Sequence, residues 1–202
     1  MTPLSLELPA RIETSRLYLR SWQESDVDDL LAFHAESADQ LHKWYGGILS
    51  KPHLSQEDAL SYIRQAMASF YTRSSIEYPA FDKKSDELVG AGSLHHLDWS
   101  VPKARIGYLV RATQGGKGLA TELANIMTRL AFEKLSLNRL EIRAATGNPA
   151  SHKIPRKLGY EYLCVFEKNK KASDGALWDL EIHARFNAKD LPEIDGLKWH
   201  AG

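Results

Sequence analysis

The stretch that most constrains this chain is Gln114-Gly115-Gly116-Lys117-Gly118-Leu119-Ala120, a glycine-rich turn between a strand-like run ending at Val110 and a helix-like run that follows. Glycines let the backbone bend with several N–H groups pointing inward and no side chain in the way. A helix starting there adds unpaired N–H donors and a partial positive charge, so the bend suits a pyrophosphate. A flexible turn is the plain alternative; the placement after a strand and before a helix favours the anion site. A Walker loop needs Gly-Lys followed by Ser or Thr, whereas Gly118 follows Lys117, and no G-x-G-x-x-G run occurs. Gly90-Ala91-Gly92 lies inside a strand-like run and is not a comparable turn.

Apolar periodicity supplies the elements around the turn. Arg16–Trp22 alternates like a half-buried strand, and Ser25 or Asp26 then caps a helix carrying Val27, Leu30, Leu31 and His34. Ser55 opens a second helix, with Gln56-Glu57-Asp58 in its first turn. Ile76–Phe81, Leu88–Leu94 and Ala104–Val110 read as an antiparallel meander, the first two joined by the polar turn Asp82-Lys83-Lys84-Ser85-Asp86. Leu119, Leu123, Ile126 and Leu130 mark a long helix facing a sheet. Arg139–Ala144 is a short strand, Pro149–Leu158 a helix closed by Gly159, and Glu161–Glu167 and Leu177–Arg185 are two further strands. The order β-α-α-β-β-β-α-β-α-β-β predicts one α/β (α+β) domain over 1–186, with about seven strands and four helices. The polar stretch 187–202 is expected to form a loosely attached tail.

Length and composition narrow the class. With 202 residues, 43% of them hydrophobic, the chain can build one full core. Lys plus Arg equals Asp plus Glu at 26 each, so no global field draws the protein to nucleic acid or to a membrane, and any anion site must be local. No apolar run approaches the roughly 20 residues that cross a bilayer. The single cysteine, Cys164, and an N-terminus without a signal-peptide layout fit a reducing cytoplasm.

Several ordered motifs resemble the GCN5-related N-acetyltransferases (GNAT), in particular the branch that acetylates ribosomal-protein N-termini. The family's loop reads Gln or Arg, two residues, Gly, one residue, then Gly or Ala; here it aligns as Gly115-Gly116-Lys117-Gly118-Leu119-Ala120, followed by Thr121-Glu122. Similar features are Thr14-Ser15-Arg16-Leu17-Tyr18-Leu19-Arg20, His96-Leu97-Asp98-Trp99, Ile106-Gly107-Tyr108, Asn148-x-x-Ser151 and Lys157-Leu158-Gly159-Tyr160. The resemblance spans about Arg11 to Arg185. It implies a mixed, mostly antiparallel sheet splayed beside the loop strand, with acetyl-CoA as co-substrate and no metal. The pantetheine arm is expected on the main chain of Tyr108, Leu109 and Val110, and the pyrophosphate on amides of the loop, Gly116, Gly118, Leu119 and Ala120 among them. Lys117, Lys153, Arg156 and Lys157 are candidates for the 3′-phosphate, each also readable as a solvated surface charge. Two departures stand out. Gly115 occupies a position where the family usually has Gln or Arg, and Pro155 falls inside the helix after Asn148, freeing the carbonyl of Ser151.

Asn148-Pro149-Ala150-Ser151 reads first as a helix start, with Asn148 as cap and Pro149 at the first helical position. The family adds a second role: Ser151 as general acid near the thioester sulfur and Asn148 near the cofactor. A neutral amine can attack the thioester directly, with a loop-strand N–H to stabilise the developing oxyanion. Neutralising an α-amine at pH 7 costs about 1 kcal/mol, against nearly 5 for a lysine, which favours a protein N-terminus as acceptor. Base candidates are His95, His96, Asp98 and Glu141, of which His96 is singled out; in a regular strand His95 and His96 face opposite ways and cannot share a metal. Trp44, Tyr45, Trp99 and Trp178 are candidates for an acceptor pocket, and Cys164 reads as a packing residue. A small amine such as a polyamine or antibiotic is an alternative acceptor. The rivals are a transferase using another nucleotide and a non-catalytic acyl-CoA-binding module, in monomer or homodimer.

Overall fold

The computed structural model describes residues 3–172 and 175–201. Its strands are β1 (Arg11–Glu13), β2 (Leu17–Arg20), β3 (Ile76–Asp82), β4 (Leu88–Asp98), β5 (Lys103–Val110), β6 (Arg139–Ala145), β7 (Glu161–Lys171), β8 (Leu177–Arg185) and β9 (Lys198–His200). The helices are α1 (Val27–Trp44), α2 (Gln56–Thr72), α3 (Leu119–Arg129) and α4 (Pro149–Lys157). All nine strands form one sheet in the order β7-β8-β6-β5-β4-β3-β2-β1-β9. Every neighbouring pair is antiparallel except β5 and β6, which run parallel.

Helix ends follow local chemistry. Ser55 Oγ accepts the Asp58 N–H at 3.1 Å while Asp58 Oδ2 accepts the Ser55 N–H at 3.3 Å, a reciprocal cap on α2. A 3-10 turn, Glu24–Asp26, precedes α1, and buried Asp26 takes the Arg20 guanidinium at 2.7 and 2.8 Å. The stripe Leu119, Leu123, Ile126 and Leu130 is buried against one face of the sheet in a core with Leu94, Ile106, Leu140 and Ile142. On the other face α1 and α2 bury Leu30, Phe33, Leu41 and Ile63 with Phe81 and Leu88.

Two expectations change. The sheet has nine strands rather than about seven, because β1 and β9 are too short and too isolated in sequence to show a period. The stretch beyond residue 186 is not loose: β9 pairs with β1, Leu191 is buried, and Asn125 Nδ2 donates to the Pro192 carbonyl at 2.8 Å.

Candidate active site

Strands β5 and β6 pair over three positions, Lys103↔Arg139, Ala104↔Leu140 and Arg105↔Glu141. Beyond them β5 keeps its pairing with β4 from Ile106 to Val110, while β6 keeps its pairing with β8. The two strands therefore diverge, leaving main-chain groups of Ile106–Val110 and Ile142–Ala145 facing a cleft of about 1100 Å³. Tyr108, Leu109, Val110, Gly115, Gly116, Gly118, Leu119 and Ala120 all line it, as do Asn148 and Ser151 from α4.

At the loop end Gly116 and Gly118 adopt φ of +77° and +80°, a region costly for residues with a Cβ. Glu122 is the first residue of α3 to reach an intrahelical carbonyl, that of Gly118 at 3.0 Å. The N–H groups of Gly118, Leu119, Ala120 and Thr121 thus precede the ladder without intrahelical partners, at the positive end of the helix. The bend is held from outside. Arg16 Nη1 donates to the Lys117 carbonyl at 2.9 Å, and Arg16 and Thr14 both bond the Glu122 carboxylate. The Lys117 ammonium turns back onto Gln114 Oε1 at 2.7 Å and is not part of the lining. Of the expected phosphate cations, Lys153 and Lys157 line the cleft; Arg156 does not, its exposed guanidinium lying 4.0 Å from Glu181. These amides, glycines and lysines fit a diphosphate.

The middle of the cleft holds a pair of hydroxyls. The Tyr108 hydroxyl and Ser151 Oγ are 2.9 Å apart, and the Tyr108 hydroxyl also lies 3.3 Å from the Ser151 carbonyl. That carbonyl is the one Pro155 cannot serve, having no N–H, so Tyr108 answers the proline and α4 runs unbroken to Lys157. Burial pushes the Tyr108 phenol up to about 12, with the Ser151 hydrogen bond acting the other way, so it remains a donor at neutral pH. Asn148 Oδ1 accepts the Ser151 N–H at 3.1 Å, as an N-cap should. The Tyr45 hydroxyl donates to the Tyr108 carbonyl, one of the groups expected to meet pantetheine. The side-chain roles of Tyr108 and Tyr45 escape sequence reading because both bonds join residues more than forty positions apart.

The far end contains the histidines. His96 has φ +51° at an irregularity in the β4–β5 register, so strand alternation fails. Both rings line the cleft, with centroids 5.1 Å apart, against the expectation of opposite faces. Space for the His95 ring comes from Gly107, where a Cβ would approach Ser93 Oγ to 2.6 Å and His95 Cε1 to 3.2 Å. Burial, then the charges of His96, Arg105 and Arg143, lowers His95 to about 4; burial and the same two arginines lower His96. Asp98 and Glu141 are not cleft bases. Asp98 ends β4 outside the cleft lining, bonded to Ser100 and lowered to about 2, and Glu141 is shared by Arg139 and Arg143. Trp44 and Tyr45 line the cleft and Trp178 packs on Trp44 at 5.0 Å, whereas Trp99 donates to the Arg73 carbonyl elsewhere.

The model of the acetyltransferase (GNAT) domain matches residues 16–161, from the arginine that holds the loop to the strand after α4. The chain belongs to the GNAT acetyltransferase family. As a GNAT chain it is an acetyl-CoA-dependent acyltransferase. It is 27% identical to the N-acetyltransferase YoaA of Bacillus subtilis over 86% of this chain and 94% of that one. It is 41% identical to YdaF of the same organism, a protein named for ribosomal N-acetylation, over 44% of this chain and 45% of YdaF. Among solved folds, the ribosomal-protein-S5-alanine acetyltransferase of Vibrio fischeri superposes with a TM-score of 0.77 at 18% identity, covering 91% of this chain and 99% of that one. In this GNAT chain no described helix is long and apolar enough to cross a membrane.

Proposed function

We propose that the cleft transfers the acetyl group of acetyl-CoA to a primary amine by direct attack, and that the acceptor is an α-amine such as a protein N-terminus. The observation that carries this reading is the Tyr108–Ser151 hydroxyl pair, 2.9 Å apart between the loop amides and the histidines. Bound acetyl-CoA supplies an activated acyl group: the amine nitrogen forms the new C–N bond, C–S breaks, and the departing thiolate needs a proton. Ser151 delivers that proton, and Tyr108 holds Ser151 and replenishes it. The amides of Gly116, Gly118, Leu119 and Ala120 hold the diphosphate, with Lys153 and Lys157 beside them. No described cysteine lines the cleft, which supports direct transfer over a thiol-bound acyl group.

His95 and His96 are the two imidazoles lining the cleft, and they accept the amine's proton directly or through water. His95, lowered to about 4, is a weak base, so the acceptor must part with its proton easily. An α-amine does so more readily than a lysine by about 2.5 pKa units. The ribosomal names of YdaF and of the V. fischeri structure are consistent with that choice. The single Cys164 fits a reducing cytoplasm.

The test is CoA release over a panel of free and blocked peptides, lysine-bearing peptides and polyamines, with mass spectrometry placing the acetyl group. Transfer to the free N-terminal nitrogen is expected; exclusive modification of lysine side chains, or no amine-dependent release, refutes the reading.

A further inference from the structure

The protein has equal numbers of acidic and basic residues, yet its cleft does not. Among the described residues no Asp or Glu lines the cleft, while Lys153, Lys157, Arg105, Arg143 and Lys170 do. Lys153 and Lys157 belong to the phosphate end described above. Lys170 lies beside Trp44 and Trp178, whereas Arg105 and Arg143 stand at the end that holds His95 and His96.

Neutralisation there is incomplete. Three guanidiniums share one carboxylate: Glu141 takes Arg139 at 2.8 Å and Arg143 at 2.7 Å, and Arg105 stands 4.0 Å off. Among the described residues Arg105 makes no other ion pair and no hydrogen bond through its side chain, and it is about a third exposed. Lys170 donates to the Trp44 carbonyl, a neutral partner. A polycation entering this end meets like charges with no carboxylate to receive it. An anion meets the Arg105 guanidinium, whose donors no described side chain or carbonyl takes, beside Arg143, whose Nε and Nη2 are held by Glu141. The same cations also disfavour an ammonium, which helps keep an incoming amine in the neutral, nucleophilic form.

We propose that the acceptor carries a carboxylate or phosphate beside its amine, and that Arg105 and Arg143 recognise that group; polyamines and other polycations are thereby excluded. This deepens the reading of the cleft as an amine acetylation site and rests on it.

The experiment compares kcat/KM for three peptides with a free N-terminal serine, followed by Asp-Glu, Asn-Gln or Lys-Lys, alongside phosphoethanolamine and spermidine. The expected result is an acidic peptide favoured over its amide counterpart by about tenfold or more, the worth of a charged hydrogen bond. Phosphoethanolamine as the best acceptor would point to a small amino-phosphate and still support the inference. Arg105→Gln removes a guanidinium without breaking a short bond, and should reduce the acid-over-amide ratio. Arg105→Glu should shift preference towards Lys-Lys. Calorimetric acetyl-CoA binding by each variant checks that the cleft is folded. Equal rates for the three peptides, or spermidine as the best acceptor, overturn the charge inference alone. If acetyl-CoA binds but no amine accelerates CoA release, the amine reading fails and this inference with it.

Discussion

Pro155 removes an amide from α4, and a tyrosine of strand β5 replaces it. The Ser151 carbonyl left without a helical donor lies 3.3 Å from the Tyr108 hydroxyl, which also reaches Ser151 Oγ at 2.9 Å. Two substitutions therefore test the proton-donor role, with acetyl-CoA affinity as the check on packing. Ser151→Ala should lower kcat by about tenfold or more with acetyl-CoA affinity little changed, and adding Tyr108→Phe should bring the loss to about a hundredfold or beyond. Stopped-flow CoA release with calorimetry on the same samples checks both, and wild-type turnover in the double variant rules out the proton-donor role. The histidines give a second prediction. His95 lies at about 4 when folded and in the ordinary histidine range when unfolded, with burial the main cause and His96, Arg105 and Arg143 adding to it. The unfolded chain thus takes up the proton first on acidification, so this contribution to stability is intact above about 6.5 and is lost as pH falls towards 4. His95→Asn should flatten the decline in melting temperature between pH 6.5 and 5; an unchanged slope would place the ring in water.

At the scale of elements, the anion site is a bend secured by a neighbouring hairpin. Gly118 caps α3 at φ +80°, and Arg16, immediately before β2, grips the Lys117 carbonyl and Glu122 in the first turn of α3. Gly118→Glu combines a strained conformation with a carboxylate placed before the unpaired amides, so acetyl-CoA binding should fall below detection in calorimetry. Arg16→Ala should be milder, weakening binding severalfold, because its guanidinium is nearly half exposed and the ion pair is screened. Equal, wild-type affinity in both variants would remove the bend from the site. The loop, the long helix and the meander were legible because glycine spacing and apolar period are local signals. The two-histidine end was not: a positive φ at His96 breaks the alternation on which opposite faces were predicted, and nothing in residues 95 and 96 announces it. Arg156 shows the same limit, since a helical basic residue beside a cofactor loop can face the loop or, as here, Glu181.

For the whole molecule, the chain's two ends close the sheet. β9 covers the outer edge of β1, which would otherwise present unpaired main-chain groups, and the stretch leading to it crosses back over α3. Leu191 is 8% exposed within the main core, Arg129 Nη2 donates to the Leu191 and Pro192 carbonyls at 3.3 and 3.2 Å, and the Ser15 N–H reaches the Asp195 carbonyl at 2.8 Å. Ser15 belongs to the same turn as Thr14 and Arg16, which hold the phosphate bend, so the tail braces the hairpin that braces the cleft. Leu191→Ala deletes a buried side chain and should cost about 2 kcal/mol or more, lowering the melting temperature by roughly 4 °C or more for a chain of this size. Removing residues 190–202 should cost more, because it also strips β1 of its outer partner β9, and should weaken acetyl-CoA binding through the loosened Arg16. A truncated protein that melts with the full chain and binds acetyl-CoA equally well would show that the segment rests on the surface without supporting it.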